Sequence, residues 1–511
     1  MQAAGEKKNG LQRFGSYVLQ QIRDDWPAVI FVACLFSIFD NHYNWLRAAE
    51  SYAFIAIGNL AALVRGHEAA DVPSGPRALV VQIDSSTLNT RYHERSPLDR
   101  CELRRDLADV YGAIRRHNGA SPARRLNVVV IDIDLRPWSW LATDGQRASA
   151  EADCERGLYA DFRSALEADG VHTVLMTPQD EQHGAAWMKE NPGKARFGNA
   201  DILVNYGLAI RQYCRPDTLA AAAFQAWAHT RPAGTAPDNE CVPSAGGAQA
   251  SEPHEPVYID PRLYRTGVVP LALSAEPGSP ARIALLDGVL KAQAGSPREA
   301  NDGWQAVFFG AGYGGDDHFV TPLGDLYGVE VHAAGFLSFI QPVQEKKKWI
   351  DLLSDILLGF FFGLVISQFW SAYYRKCLSN DVRHRLTAPL TLLALVVTVA
   401  AMTVLLLIVS YFALLRFGLW ASPVSMAVGM LLDSFVFGAP QGGVDAANFL
   451  KGSGRPERRS FAEGAKKLFG GAVLHFWRQG DYATAGLLAV RLAIWVGVVS
   501  TALVLIAMQD I

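Results

Sequence analysis

The chain has 511 residues, of which 50% are hydrophobic and only 19% charged, and its mean hydropathy is slightly positive. Soluble domains carry about 25% charged residues, so part of this chain is built for lipid. The 47 basic and 50 acidic residues leave a formal charge of -3 and a pI near 6.5, which excludes a basic nucleic-acid binder and a disordered acidic chain. Six cysteines without a Cys-x-x-Cys pair argue against a disulfide scaffold and a structural zinc site.

In chain order, a basic N-terminus (residues 1–25, with Lys7, Lys8, Arg13 and Arg23) precedes the apolar stretch Trp26–Phe39. Extended to Leu46, with Tyr43 and Trp45 at headgroup level, it reads as an uncleaved signal anchor over 26–46. Residues 47–348 have the composition of a globular α/β domain. Ala78–Asp84 and Asn127–Asp134 are short apolar runs ending in acids, and Val171–Met176 reads as a third strand without one. Between them, Arg100–Arg116 and Cys154–Ala168 have helical periodicity. That alternation predicts a parallel sheet covered on both faces. Further strands are expected around Ile202, Val268, Ile283 and Val307, and a long exposed loop over 231–256.

A bilayer core of ~30 Å needs about 20 apolar residues in a helix. Four later runs supply them, giving expected spans at 349–374, 388–415, 417–438 and 487–509. The loop 375–387 and the segment 439–483 carry most of the nearby Lys and Arg, so the positive-inside rule puts them in the cytoplasm with the N-terminus. The domain at 47–348 and the C-terminus then face outward. In the last cytoplasmic segment Phe461, Ala465, Leu468, Phe469, Ala472 and Phe476 share one helical face beside Arg458, Arg459, Lys466 and Lys467. This basic amphipathic helix reads either as a partner-docking element or as a passive interfacial helix. Asp433 and Arg491 fall at similar depths in the last two spans and are expected to pair, the alternative being an Arg491 that snorkels alone.

The candidate site residues lie in the outer domain. Asp84, Asp132 and Asp134 end what read as adjacent strands, where open α/β sheets bind ligands, with Arg136 close by. The Asp-Ile-Asp pair resembles the nucleophile loop of haloacid-dehalogenase-like phosphatases, which use magnesium. Leu135 and Arg136 follow where those enzymes favour a hydroxyl residue, so ligand-binding or structural acids are the leading reading. Asp316, Asp317, His318 and Thr321 occupy a glycine-rich turn, with Glu330 and His332 soon after. They read as metal or ligand contacts, or as a loop capping the next helix over a buried His332; Glu330 and His332 share a face only in an extended chain. No cofactor motif is present, and no catalytic residue is assigned. Cys101 with Cys154 and Cys214 with Cys241 are the favoured disulfides among three pairings, free buried thiols being the alternative.

Four passages taken together resemble the type-2 CHASE domain, a sensory extracytoplasmic domain of bacterial receptors. They are VVQIDSSTL (Val80–Leu88), VVVIDIDLRPW (Val128–Trp138) after a helix led by Arg100, FGNADILVNYGLAIRQYC (Phe197–Cys214), and VFFGAGYGGDDHFVTPLGDLYGVEVHAAGFLSFI (Val307–Ile340). The likeness covers roughly residues 20–440, and its order beside the expected spans carries it. It departs at His93–Arg100 (HERSPLDR), where the family has a tryptophan- and proline-rich segment. It departs again at 439–483, too short for the kinase or cyclase such receptors carry, and at the fifth span.

The resemblance implies an α/β sensory domain facing the periplasm or outside, joined to a helical transmembrane bundle in the bacterial inner membrane. The expected role is a non-enzymatic receptor component that relays an external signal to a separate output protein. The bilayer is its first partner, further copies of the chain an open one, and nucleic acid none. A gated pore or transport subunit is the alternative from a different class, and a membrane-tethered periplasmic hydrolase the third.

Overall fold

The computed structural model describes residues 49–57, most of 75–345, 348–377, 382–417 and scattered positions as far as 428. The expected anchor at 26–46, most of the run at 417–438, the segment 439–483 and the run at 487–509 lie outside the described residues, as do Asp433 and Arg491. The chain divides into two units: residues 51–345 with 411–420, and residues 1–50, 346–410 and 421–511.

The first unit is α/β. Strand β1 (Pro76–Asp84) leads through α1 (Ser85–Thr90) and α2 (Arg100–Ala120) to β2 (Val128–Asp132). Then follow α3 (Arg147–Asp169), β3 (His172–Met176), β4 (Ala195–Gly198), β5 (Arg211–Cys214) and α4 (Leu219–His229). Next come β6 (His254–Tyr258), β7 (Val268–Ala272), α5 (Pro280–Ala292) and β8 (Gly303–Gly312). A hairpin of β9 (His318–Thr321) and β10 (Gly324–Tyr327) runs into α6 (Gly328–Ile340). Six strands form one sheet in the order β4-β3-β2-β8-β1-β7, and every pairing is parallel.

Period-two alternation splits the strand residues between two cores. Ala78, Val80, Val128, Val130, Val174 and Phe308 pack with α4 and α6 on one face. Leu79, Val81, Val129, Ile131, Leu175 and Phe309 pack with α2, α3 and α5 on the other. Both faces being covered explains why the strands read as continuous apolar runs. Helix α2 starts where Asp99 accepts hydrogen bonds from the backbone of Cys101 and Glu102, and buries Leu103, Leu107, Val110 and Ile114.

The α2–α5 face also buries charge. Asp106 has no exposed side-chain surface and is paired with Arg91. It accepts from Tyr92 Oη at 2.7 Å and lies 2.8 Å from the equally buried Arg282 Nη2. Arg282 Nε also reaches Asp109 at 3.2 Å, so two guanidinium groups and a phenol from outside α2 converge on its carboxylates. Burial, then the Asp106 charge, pushes the Tyr92 hydroxyl far up, which keeps it a donor. Disulfides join Cys101 to Cys154 and Cys214 to Cys241, as expected, and so tie α2 to α3 and close the loop between β5 and β6.

Three expectations need correction. Ile283 lies in α5, not a strand: Arg282, Leu286 and Leu290 are buried four residues apart, the spacing of a helix entered at Pro280. Ile202 lies in an irregular stretch among the turn formers Asn199, Asp201, Asn205 and Gly207, with isolated bridges only. The strands ending in Asp84 and Asp132 are not adjacent, because β8 pairs with both.

The second unit contains α7 (Lys348–Cys377) and, as far as residue 410, α8 (Val382–Phe417). Phe362, Ile366, Trp370 and Tyr374 of α7, four residues apart, share a cluster with Leu395 and Leu406 of α8. Among the described residues, one helix is long and apolar enough to cross a membrane, Leu386–Leu414. Many of its large apolar side chains are exposed, among them Leu386 at 73% and Leu390 at 61%, while Leu395 and Leu406 are buried.

Removing Asp106 alone leaves the buried Arg282 without its nearest charge. Asp106→Ala is expected to cost about 3–5 kcal/mol, and Asp109→Ala, at the margin of the same network, clearly less. Urea unfolding of the full chain under oxidising conditions measures the difference.

Candidate functional site

The carboxyl ends of the central strands and the first turn of α6 meet at one place. In register, Asp132 of β2 pairs with Gly310 of β8, and Gly310 with Gln82 of β1. Alternation from Val130, Phe308 and Val80 directs all three positions to the α4–α6 face. The row therefore reads acid, glycine, amide, and α6 begins directly over it. A Cβ on Gly310 would stand 2.8 Å from Cβ of Val329 and 3.2 Å from Cβ of Asp132, so only glycine lets the helix come this close. A Cβ on Gly328 would be 2.5 Å from Oδ1 of Asp317, which lies against the first residue of α6.

Each acid has a different setting. Asp132 keeps a little accessible surface and accepts no hydrogen bond from a described residue. Burial raises its pKa, and the His332 charge opposes that. Burial, then repulsion from Asp132, pushes Asp317 up to about 6 against His332, the Gly328 N–H and His318. Glu330 is raised by burial and held back by the Tyr327 N–H, which donates to its Oε2 at 2.9 Å, and by Gln82. Glu330 thereby closes the start of α6 in the manner of a capping-box glutamate. His332 Nε2 is 3.1 Å from the Ala200 carbonyl oxygen. A carbonyl only accepts, so Nε2 carries the proton and, in the neutral ring, Nδ1 remains an acceptor.

The other expected residues are spread around this centre. Asp84, two strand spacings (~10 Å) from Asp132, accepts from Thr87 N at 2.8 Å and caps α1. The Asp134 carbonyl accepts from Arg100 Nη2 at 3.1 Å. His318 packs its ring on Tyr327, centroids 4.3 Å apart. Thr321 holds the β9–β10 turn, donating to the Gly324 carbonyl and accepting from Leu323 N. Arg136 and Asp316 lie outside the described residues. Glu330 and His332 are both helical, so they diverge: Glu330 turns to the cap and His332 to Ala200. The cluster thus consists of Asp132, Asp317 and His332, with Glu330 and Gln82 at its border.

Sequence reading missed Gln82, Gly310 and Gly328. Gly310 follows three large apolar residues in a buried strand, an available sign of close backbone approach. Among the described residues, no group of three or more His, Cys, Asp or Glu is placed to hold a metal ion. Comparison with protein-family models, curated proteins and solved structures finds no match.

An acid with a raised folded pKa costs stability when it ionises. For Asp317 that stability is complete below the ordinary carboxyl value of 3.8 and is lost as pH rises through about 6. Asp317→Asn is therefore expected to be more stable than the wild type near neutral pH, by about 1 kcal/mol after solvent screening is counted. The gain should vanish towards pH ~4. Unfolding curves of both proteins across that range check the sign.

Proposed function

We propose that the chain is an integral membrane sensor component of the type-2 CHASE kind. Its α/β unit faces outward and detects a signal at the Asp132–Asp317–His332 cluster, and a separate protein carries the output. The observation that carries this reading is the position of the cluster at the start of α6. That helix ends at Ile340, and eight residues later, at Lys348, the chain enters α7. A change at the first turn of α6 is thus near, along the chain, to the first of the expected later spans. The outward apolar side chains of α8 support a lipid-facing helix, and the apolar runs at 26–46, 417–438 and 487–509 complete a five-span arrangement in the inner membrane.

Binding rather than turnover suits the cluster. Asp132 faces a glycine and a neutral amide, and Asp134 lends its backbone to the buried Arg100, an arrangement suited to holding rather than attacking. The basic amphipathic segment at 461–476 is then a docking surface for the output partner.

The test uses the full chain in nanodiscs mixed with solubilised membranes of its source. A discrete partner should be recovered with the wild type, and Leu468→Asp with Phe476→Asp should remove it. Asp132→Asn with Asp317→Asn should keep the partner bound but abolish the change in recovery between about pH 5 and pH 8. Ion flux through reconstituted liposomes that depends on these acids would instead identify a pore, and hydrolysis of a phosphomonoester by the purified chain would identify an enzyme.

A further inference from the structure

At the opposite, amino end of the sheet a second polar cluster has a different sign. Arg196 of β4 pairs in register with Val174 of β3, so it shares the α4 face with Val174 and with His172 two residues earlier. Its Nη1 donates to Oε1 of Gln225 on α4 at 3.2 Å. One helical turn beyond Gln225 is His229, on the same side of α4. Two histidines and an arginine thus converge from three elements.

Arg91, Arg104, Arg115, Arg116, Arg215 and Arg282 each pair with a carboxylate. Arg196 is half-buried and has the Gln225 amide instead; no described carboxylate reaches it, His172 or His229. The last carbonyls of α4 do not serve it either. Thr230 N and Oγ1 donate to the Trp227 carbonyl, and Arg231 N to that of Ala228. A guanidinium that loses water without gaining an anion is a costly arrangement.

We propose that this amino-end cluster binds a phosphate group, as the free ion or as the headgroup of an anionic phospholipid. The guanidinium offers a planar fork that matches phosphate oxygens, and the two imidazoles add N–H donors when protonated. Burial, then Arg196, then His229 lowers the His172 pKa, and burial, then Arg196, lowers that of His229. An anion between them reverses the electrostatic part of both shifts, so binding takes up protons and tightens as pH falls.

The test is thermal unfolding of the full chain in phosphatidylcholine nanodiscs, with inorganic phosphate titrated at constant ionic strength. The expected result is a saturable rise in Tm, with affinity tighter by up to about tenfold per pH unit for each proton taken up between pH 7.5 and 6. Arg196→Gln should abolish the response, and Arg156→Gln, whose arginine is exposed on α3, should retain it. His229→Gln changes an exposed side chain and should fold normally, bind phosphate and show a flatter pH profile. Nanodiscs containing phosphatidylglycerol separate the sources. A headgroup-filled site gives Arg196-dependent stabilisation by that lipid and no further response to phosphate. A free-phosphate site responds alike in both bilayers. Absence of a saturable response in both bilayers, or one that survives Arg196→Gln, overturns the proposal. If Arg196→Gln does not fold, a His229→Gln pH profile identical to the wild type overturns it.

Discussion

The close approach of α6 to the end of β8 is the constraint on which the candidate site depends. Gly310 is what permits it, since a methyl group there would collide with Val329 and crowd Asp132. With the helix so near, its first backbone N–H groups and the ends of three strands share a small volume. Asp317 then rests on Gly328, Glu330 on Tyr327 N, and Asp132 is left beside them with no donor of its own among the described residues. A helix N-terminus favours negative charge, which offsets part of the cost of holding three acids together. Burial outweighs that offset, which is why all three resist ionisation.

The opposite face of the sheet supplies rigidity. There the apolar contacts of α2, α3 and α5 surround a closed ion network on Asp106 and Asp109, and a disulfide fixes α2 to α3. Such a network is a weak source of net stability, but it disfavours sliding of α5 over α2, because any shift breaks a buried pair. The α4–α6 face is rich in small alanines and in aromatic side chains from α4 and α6, and there Gln212 donates to the Gly335 carbonyl of α6.

Much of the architecture was legible because buried parallel strands leave a strong mark: VVQID and VVVID are apolar runs that stop at an acid. The α2 stripe was legible for the same reason. Strand order was not, since nothing local in Gly303–Gly312 indicates that it inserts between β1 and β2. That insertion separates Asp84 from Asp132 and replaces the expected pair of strand-end acids with a cluster drawn from β2, the β8–β9 turn and α6. Ile283 misled because one branched residue in a short apolar run fits helix and strand equally well. The disulfides were readable from helix starts and a loop. The cationic cluster of His172, Arg196 and His229 was not, because only the β3–β4 register and the packing of α4 unite residues so far apart in sequence.

Ionisation at Asp132 and Asp317 is expected to control how firmly the first turns of α6 are held. Hydrogen exchange of the α6 amides in the full chain, corrected for the intrinsic pH dependence of exchange, tests it directly. Protection of residues 329–335 is expected to fall as pH rises from about 5 to about 8 in the wild type, and to stay level when both acids are replaced by asparagine. Protection that is independent of pH in the wild type, or that changes equally in the double variant, would contradict it.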